Sequence, residues 1–155
     1  TGVTIITTLT KGGEPEGLTV NSFSSLSLNP AMILWSLSND TPVLGVFLEC
    51  ERFAVNVLAA DQQHLSDRFA SSINNRFDNL DWYSGVNGVP LIPNCLAYFE
   101  CCKAACHEGG DHHIIVGGVD RFKYSEGRPL IYFGGQYGVP CDGTGKIVGN
   151  RGRRI

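Results

Sequence analysis

Apolar and polar positions alternate with a period of two through much of this chain, a pattern typical of β-strands. The first run, TGVTIITTL at 1–9, is followed by the turn-forming KGGEPEG at 11–17, which returns the chain into a second strand. The continuous apolar run AMILWSL at 31–37 indicates a buried strand. Further strands are predicted in RFAVNVL at 52–58, NCLAYFECCKAACHE at 94–108, DHHIIVGGVDRFKYS at 111–125 and PLIYF at 129–133.

Two segments carry helix signals instead. Thr41 followed by Pro42 is an N-cap and first-turn pair, so we expect a short helix to begin there. The apolar residues of AADQQHLSDRFASS at 59–72 recur at helical spacing, which predicts a second helix. About seven strands and two helices that do not alternate regularly argue against a doubly wound parallel sheet. We therefore predict a mainly β, antiparallel barrel with the helices covering its openings or edges.

The composition fits one compact domain. The chain has 155 residues, of which 43% are hydrophobic and 17% charged, which is enough to bury a sizeable core. We place this domain at 1–149 and interpret NRGRRI at 150–155 as a basic, solvated C-terminal tail, with a role in binding phosphate or pyrophosphate as the alternative. The formal net charge of -3 gives no general electrostatic case for binding nucleic acid or an anionic membrane.

The cysteines and the apolar runs bear on location. Six cysteines cluster unevenly along the chain with no secretory signal segment beside them, so we expect reduced thiols and a cytoplasmic setting. No apolar run approaches the ~18 residues that a membrane-spanning helix requires.

The segment GLTVNSFSSLSLNP at 17–30 places many short polar side chains between apolar strand positions. Around the predicted helix start that follows the next strand lie Ser38, Asn39, Asp40 and Thr41. Free amides at a helix start bind phosphate, so the two segments are candidates for jointly holding a phosphorylated heterocycle. The alternative is structural: the first segment is a hydroxyl-rich strand edge and the second only caps a helix.

A different kind of site is suggested by CCKAACHEGGDHH at 101–113, which concentrates side chains of types that bind zinc or copper. The spacing does not match a recognised pair of metal-binding knuckles. In an extended strand Cys102 and Cys106 share a face and Cys101 lies opposite, so a closed site would need a hairpin to bring other ligands near. Metal binding is therefore an alternative, and no residue is assigned as a metal ligand.

Five segments occur in order along nearly the whole chain: TGVTIITT at 1–8, GLTVNSFSSLSLNP at 17–30, FAVNVLAADQQHLSDRFA at 53–70, GDHHIIVGGV at 110–119 and PLIYFGGQYG at 129–138. This ordered set closely resembles the flavin reductase-like family, whose members include the small reductase components of two-component flavin monooxygenases. The resemblance implies an FMN-binding split β-barrel, usually a homodimer, which agrees with the strand and helix pattern.

The activity that the resemblance implies is that of an NAD(P)H:flavin oxidoreductase. Such an enzyme transfers a hydride from NADH or NADPH to FMN or FAD and supplies reduced flavin to a partner flavin-dependent monooxygenase. The chemistry requires little from side chains, because the protein mainly stacks two rings and excludes other poses. A flavin- or haem-binding split-barrel protein without reductase turnover is the alternative.

The resemblance also implies which residues form the site. His112, in the GDH motif, is placed near the nicotinamide as an orienting residue, and strand alternation turns His113 to the opposite face. The segment placed against the isoalloxazine ring matches Thr19, Val20, Asn21, Ser22 and Ser24, and the phosphate-side segment matches Ser36, Leu37, Ser38, Asp40 and Thr41.

Three further residues are candidates for contacting the cofactors. Arg76 is a candidate for the flavin tail, with a solvent-facing arginine as the alternative. Phe133 and Tyr137 are candidates for stacking on the nicotinamide or the flavin. The sequence departs from the family at Gly134 and Gln136, where basic residues are frequent, so phosphate-directed contacts to the nicotinamide cofactor are expected to be weaker or supplied elsewhere.

Overall fold

The computed structural model describes residues 2–73 and 75–140, and the backbone of 148–149. These ranges hold two helices, α1 (Leu44–Glu49) and α2 (Gln63–Ala70). The strands are β1 (Thr4–Leu9), β2 (Pro15–Val20), β3 (Ser24–Leu28), β4 (Ala31–Ser38), β5 (Arg52–Val57), β6 (Tyr83–Ser84), β7 (Pro90–Leu91), β8 (Ala97–Gly109), β9 (His112–Tyr124), β10 (Ile131–Phe133), β11 (Gln136–Val139) and β12 (Val148–Gly149).

Seven of these strands form one antiparallel sheet in the order β2-β1-β5-β8-β9-β4-β3. Its longest hairpin joins β8 and β9, which have 13 residues each, and places His112 opposite Gly109. Strands β10, β11 and β12 form a small second sheet, and β6 pairs with β7. The predicted mainly β, antiparallel architecture is therefore confirmed.

The large sheet curls until its two ends share a core. Val20 in the edge strand β2 and Ile33 in β4, beside the other edge, belong to one buried cluster with Trp35. Phe47 from α1 packs edge-on against Trp35, with ring centroids 5.3 Å apart. Helix α1 thus covers one part of this interior, and burial of these apolar side chains stabilises the curl.

The opposite face of the sheet carries a second core under helix α2. Leu65 and Phe69 are the apolar residues that this helix buries. They pack with Ile5 and Ala54 from the central strands β1 and β5. The helix predicted over 59–72 is therefore confirmed, although it is shorter and begins at Gln63. Both helices pack on faces of the curled sheet, where the sequence pattern predicts that they cover openings or edges of a barrel.

The predicted start of the first helix at Thr41 is wrong. Helix α1 begins at Leu44, and its N-terminal boundary residue is Val43, with no side-chain cap. The chain before it forms two successive turns, in which the Thr41 N–H donates to the Ser38 carbonyl and the Leu44 N–H donates to the Thr41 carbonyl. Because Asn39 is bonded to the turn between β8 and β9, this tertiary contact holds the segment in turns.

No helix among the described residues is long and apolar enough to cross a membrane. The basic tail at 150–155 and Cys141 lie outside the described residues.

Candidate cofactor site

The hydroxyl of Ser22 joins the end of β2 to strand β4. Its Oγ atom accepts the Ser36 N–H at 2.9 Å and donates to the Ser36 carbonyl oxygen at 3.2 Å. This hydroxyl is therefore committed to the backbone. Ser22 remains in the candidate site, but its hydroxyl has less capacity for a ligand than the sequence suggests.

One face of β4 presents polar groups beside the start of β9. Ser36 pairs with Ile114 and Ser38 pairs with His112, while Leu37 between them is fully buried in the core. Within the described part of the chain, the half-buried hydroxyls of Ser36 and Thr41 make no hydrogen bond. These groups therefore have free hydrogen-bonding capacity for a polar ligand.

The side chains of Val20 and Leu37 point into the core, with exposed fractions of 6% and 0%. They can contact a ligand only through their backbone. Ser24 and Asp40 are exposed instead; among the described residues the Ser24 hydroxyl bonds only to the neighbouring Ser25 carbonyl. The candidate segments at 19–24 and 36–41 therefore offer backbone groups and a few hydroxyls rather than a continuous row of free side chains.

His112 and His113 lie on opposite faces of β9, as strand alternation predicts. The Nδ1 atom of His112 lies 2.7 Å from the Asp111 carboxylate, and this hydrogen bond lowers the pKa of Asp111 below its usual value. His113 is paired with Leu37 across the strands, and its Nδ1 lies 2.7 Å from the side-chain oxygen of Asn39. In the neutral imidazole of His112, a proton on Nδ1 donated to Asp111 leaves Nε2 as an acceptor.

Asn39 anchors the end of β4 to the turn that carries the GDH motif. Its N–H donates to the Asp111 carbonyl at 2.9 Å and its side-chain amide donates to the Gly110 carbonyl at 3.2 Å. Gly110 has a φ of 74°, in the left-handed region that favours glycine. Sequence reasoning placed Asn39 only beside a helix start, because its partners are distant along the chain and no local pattern reports them.

A second group of candidate residues meets at helix α2. The Thr19 hydroxyl donates to the Ser66 carbonyl at 2.7 Å, and the Ser66 hydroxyl lies 2.8 Å from the hydroxyl of Tyr137. Ser66 is fully buried. Burial also raises the pKa of the Tyr137 phenol, which keeps it protonated. Sequence reasoning missed Ser66, since one serine on a helix carries no signal of its distant partners.

The hairpin of β10 and β11 separates its two candidate aromatic residues. Tyr137 pairs with Tyr132 across the hairpin, and the two rings pack edge-on at 5.1 Å against the core. Phe133 pairs with Gln136 and is 70% exposed. Because adjacent strand positions face opposite sides, Phe133 is the aromatic ring available to a ligand, while Tyr137 anchors the hairpin.

Arg76 is 9% exposed, so the solvent-facing alternative is wrong. Its guanidinium donates to the Ser71 carbonyl at 2.8 Å and to the Gly17 carbonyl at 3.4 Å, and it lies 3.9 Å from Glu16. These contacts tie the segment after α2 to β2. A contact between Arg76 and a flavin tail stays a prediction.

The described residues, 2–73 and 75–140, contain no group of three or more His, Cys, Asp or Glu side chains placed to hold a metal ion. Cys101 is buried and Cys102 is not, in agreement with opposite faces of one strand. Burial raises the pKa of Cys101 to about 12, so its thiol stays protonated.

A cleft of about 260 Å³ lies elsewhere, between the β6–β7 hairpin and the far ends of β8 and β9. Tyr83, Tyr98 and the buried Glu100 line it, and it includes none of the predicted site residues. The candidate site is therefore defined by the hydrogen-bonding groups on the polar face of β4 and not by this cleft.

The family match identifies the class of protein that has this fold and this polar face. The sequence matches the flavin reductase like domain family over residues 1–139, and the chain belongs to that family. The resemblance stated from the five ordered segments is thus confirmed.

Individual relatives agree with this assignment. Over 138 residues the chain is 49% identical to the FMN reductase (NADH) SmoA of Agrobacterium fabrum, covering 89% of this chain and 78% of the relative. It is 35% identical to the reductase component of a flavin-dependent trigonelline monooxygenase of Acinetobacter baylyi, over 96% of this chain and 48% of the relative. The chain thus spans only about half the length of that second relative.

A solved structure supports the fold as well. The NADH:FAD oxidoreductase SgcE6 of Streptomyces globisporus, in complex with NAD and FAD fragments, superposes with a TM-score of 0.87 at 34% identity. The match covers 93% of this chain and 87% of SgcE6.

Proposed function

We propose that this chain is an NADH-dependent flavin reductase that reduces FMN or FAD and supplies the reduced flavin to a partner monooxygenase. The observation that carries the proposal is the family match over residues 1–139, together with the polar face of β4. SmoA and SgcE6 are named for NADH with FMN and with FAD, which supports both flavins and this donor.

The residues present fit a flavin. The hydroxyls of Ser36 and Thr41 are half-buried and have no partner within the described chain, so they can bond to a polar cofactor without losing an internal hydrogen bond. The neighbouring backbone of 19–22 ends a strand and supplies further polar groups. When bound, the flavin supplies the ring that accepts a hydride, and the nicotinamide supplies the hydride.

His112 orients the nicotinamide in this proposal. In the tautomer with the proton on Nδ1, the ring would donate to Asp111, and Nε2 would accept a hydrogen bond from the carboxamide N–H of the donor. This contact would orient the nicotinamide without any proton transfer. The protein's remaining contribution is to hold both rings in near-attack geometry, which requires no general acid or nucleophile.

A homodimer is proposed with this function. Strand β3 is an edge of the seven-stranded sheet, and its Leu26 and Leu28 are 49% and 95% exposed. Ile114, on the same face as Ser36, is also exposed. An edge strand with exposed apolar side chains favours burial against another chain, and a second copy is the partner that the family resemblance implies.

A cytoplasmic location is proposed from the thiols. The five described cysteines are free, including the buried Cys50, Cys95 and Cys101. Free thiols persist in reducing compartments, which supports the cytoplasm. The monooxygenase partner is proposed from the name of the Acinetobacter baylyi relative, which is the reductase component of such a system.

The experiment that tests the function is an NADH oxidation assay with added FMN, FAD or riboflavin. The expected result is rapid NADH oxidation that depends on the flavin and on the protein. The alternative, a flavin-binding protein without turnover, predicts flavin binding in a titration and no oxidation of NADH above the rate without protein.

A further inference from the structure

We infer that Ser66 is a positioning residue that sets the spacing between the flavin-side strand end and the hairpin carrying Phe133. The inference rests on the proposed function and assigns a role to a residue outside the polar face of β4. Ser66 is fully buried in helix α2, and its two polar groups point to different parts of the fold. Its carbonyl holds Thr19 and its hydroxyl holds Tyr137.

The first contact fixes the strand end. Thr19 is the next-to-last residue of β2, and the segment that follows it contains Ser22, which is bonded to β4. The 2.7 Å bond from the Thr19 hydroxyl to the Ser66 carbonyl connects this strand to α2. Because the acceptor is a backbone carbonyl, changing the Ser66 side chain leaves this bond in place.

The second contact fixes the hairpin. The hairpin turns at Gly134 and Gly135, whose φ values are 59° and 79°. Glycine has no side chain that could pack against the sheet. Tyr137 faces the core and Phe133 faces outward, so the position of the Phe133 ring follows from how Tyr137 is held. The 2.8 Å bond between the Ser66 and Tyr137 hydroxyls is the polar part of that hold.

One buried serine therefore connects the strand end that we place beside the flavin with the hairpin whose exposed Phe133 we place against the nicotinamide. Reacting atoms must approach to about 3–3.5 Å, so a small shift of one wall changes the population of productive complexes. Loss of the Ser66 hydroxyl removes the polar contact that holds the hairpin but leaves the bond between Thr19 and the Ser66 carbonyl in place. The effect should therefore fall on NADH and spare the flavin.

The test compares Ser66→Ala, Tyr137→Phe and the double variant in steady-state NADH oxidation with FMN. Each single variant should raise the KM for NADH about five- to tenfold, the effect of one lost hydrogen bond, with the FMN dissociation constant within about twofold of wild type. The double variant should be no worse than either single variant, because both remove the same bond.

Thr19→Val and Thr19→Ser form a matched pair for the other contact. Thr19→Val removes the donor and should weaken FMN binding about fivefold, whereas Thr19→Ser keeps the hydroxyl and should bind FMN as wild type does. Measuring FMN binding separately from the KM for NADH distinguishes the two contacts.

Several outcomes would overturn the inference. Ser66→Ala and Tyr137→Phe could lower only the melting temperature and leave the KM for NADH unchanged, which would make Ser66 merely structural. Multiplied effects in the double variant would also contradict it, since the two hydroxyls would then act independently. If the wild-type protein does not oxidise NADH with any flavin, the proposed function fails, and that result differs from a wild type that turns over beside unaffected variants.

Discussion

The Ser22 hydroxyl accepts the Ser36 N–H and donates to the Ser36 carbonyl, so one side chain bridges both polar groups of a residue in another strand. Ser22 follows β2, at one edge of the seven-stranded sheet, and Ser36 lies in β4, beside the other edge. The bond therefore helps to hold the curled sheet together at the candidate site. Part of the hydroxyl-rich segment at 17–30 thus serves the fold itself.

Replacing Ser22 with alanine should destabilise the protein. The Ser36 N–H loses its partner in a half-buried position, which costs about 1–3 kcal/mol of unfolding free energy. Ser24→Ala is the matched control, because the exposed Ser24 hydroxyl donates to the adjacent carbonyl and its loss should cost less than about 0.5 kcal/mol. Urea unfolding measures both. Equal stability of the two variants would show that the Ser22 bond does not hold the sheet.

Thr41→Ala tests whether the segment at 36–41 contacts the flavin phosphate. Thr41 caps no helix, so the substitution should change the unfolding free energy by less than about 0.5 kcal/mol. If its hydroxyl contacts the phosphate, the affinity for FMN should fall about five- to tenfold while riboflavin, which lacks the phosphate, binds as before. Fluorescence titration with both flavins measures this. The same loss for FMN and riboflavin would remove the phosphate from this position.

His112→Ala and His113→Ala separate the two neighbouring histidines. His112 lies on the same face as Ser38, and if it bonds to the nicotinamide as proposed, its loss should lower the efficiency of flavin reduction about five- to thirtyfold. His113 bonds to Asn39 on the opposite face, so His113→Ala should reduce flavin within about twofold of the wild-type rate. Stopped-flow reduction of bound flavin measures both. A slow His113→Ala with a normal His112→Ala would reverse the assignment.

The elements that could be predicted from the sequence are those whose signal is local. Alternation located β5, β8 and β9 within a few residues, and helical spacing located α2. Alternation also placed His112 and His113 on opposite faces correctly, because a strand's side-chain period depends only on its backbone.

The predictions that were wrong or incomplete depend on tertiary contacts. Thr41 and Pro42 carry a strong helix-start signal, but the bonds of Asn39 to a distant turn hold this segment in a different conformation. Ser22 and Thr19 have hydroxyls that suggest a ligand, yet their partners are backbone groups of Ser36 and Ser66. Sequence spacing cannot distinguish a hydroxyl that binds a cofactor from one that bonds to another strand.

Alkaline pH should destabilise the protein through its buried thiols. Burial raises the pKa of Cys95 and of Cys101 to about 12 in the folded state, from 9.0. The unfolded chain then binds fewer protons above pH 9, so stability is fully present below pH 9 and is lost as the pH rises towards 12. Each thiol contributes a slope of up to about 1.4 kcal/mol per pH unit.

Cys101→Ala should therefore make the decline in unfolding free energy between pH 9 and 11 shallower than in the wild type. Cys106→Ala is the matched variant, because it removes an exposed thiol instead of a buried one. Urea unfolding at several pH values measures these slopes. Parallel slopes for wild type and Cys101→Ala would contradict a protonated, buried Cys101 thiol.

Anaerobic mixing of the flavin-loaded protein with NADH tests the proposed reductase function most directly. The visible absorbance of the oxidised flavin reports hydride transfer, and two-electron reduction should bleach it in one fast phase whose rate saturates as the NADH concentration rises. Lys11→Ala is the control, because it removes only an exposed ion pair with Glu49 and should bleach as fast as the wild type does. A protein that binds flavin but leaves it oxidised in the presence of NADH would contradict the function proposed for this chain.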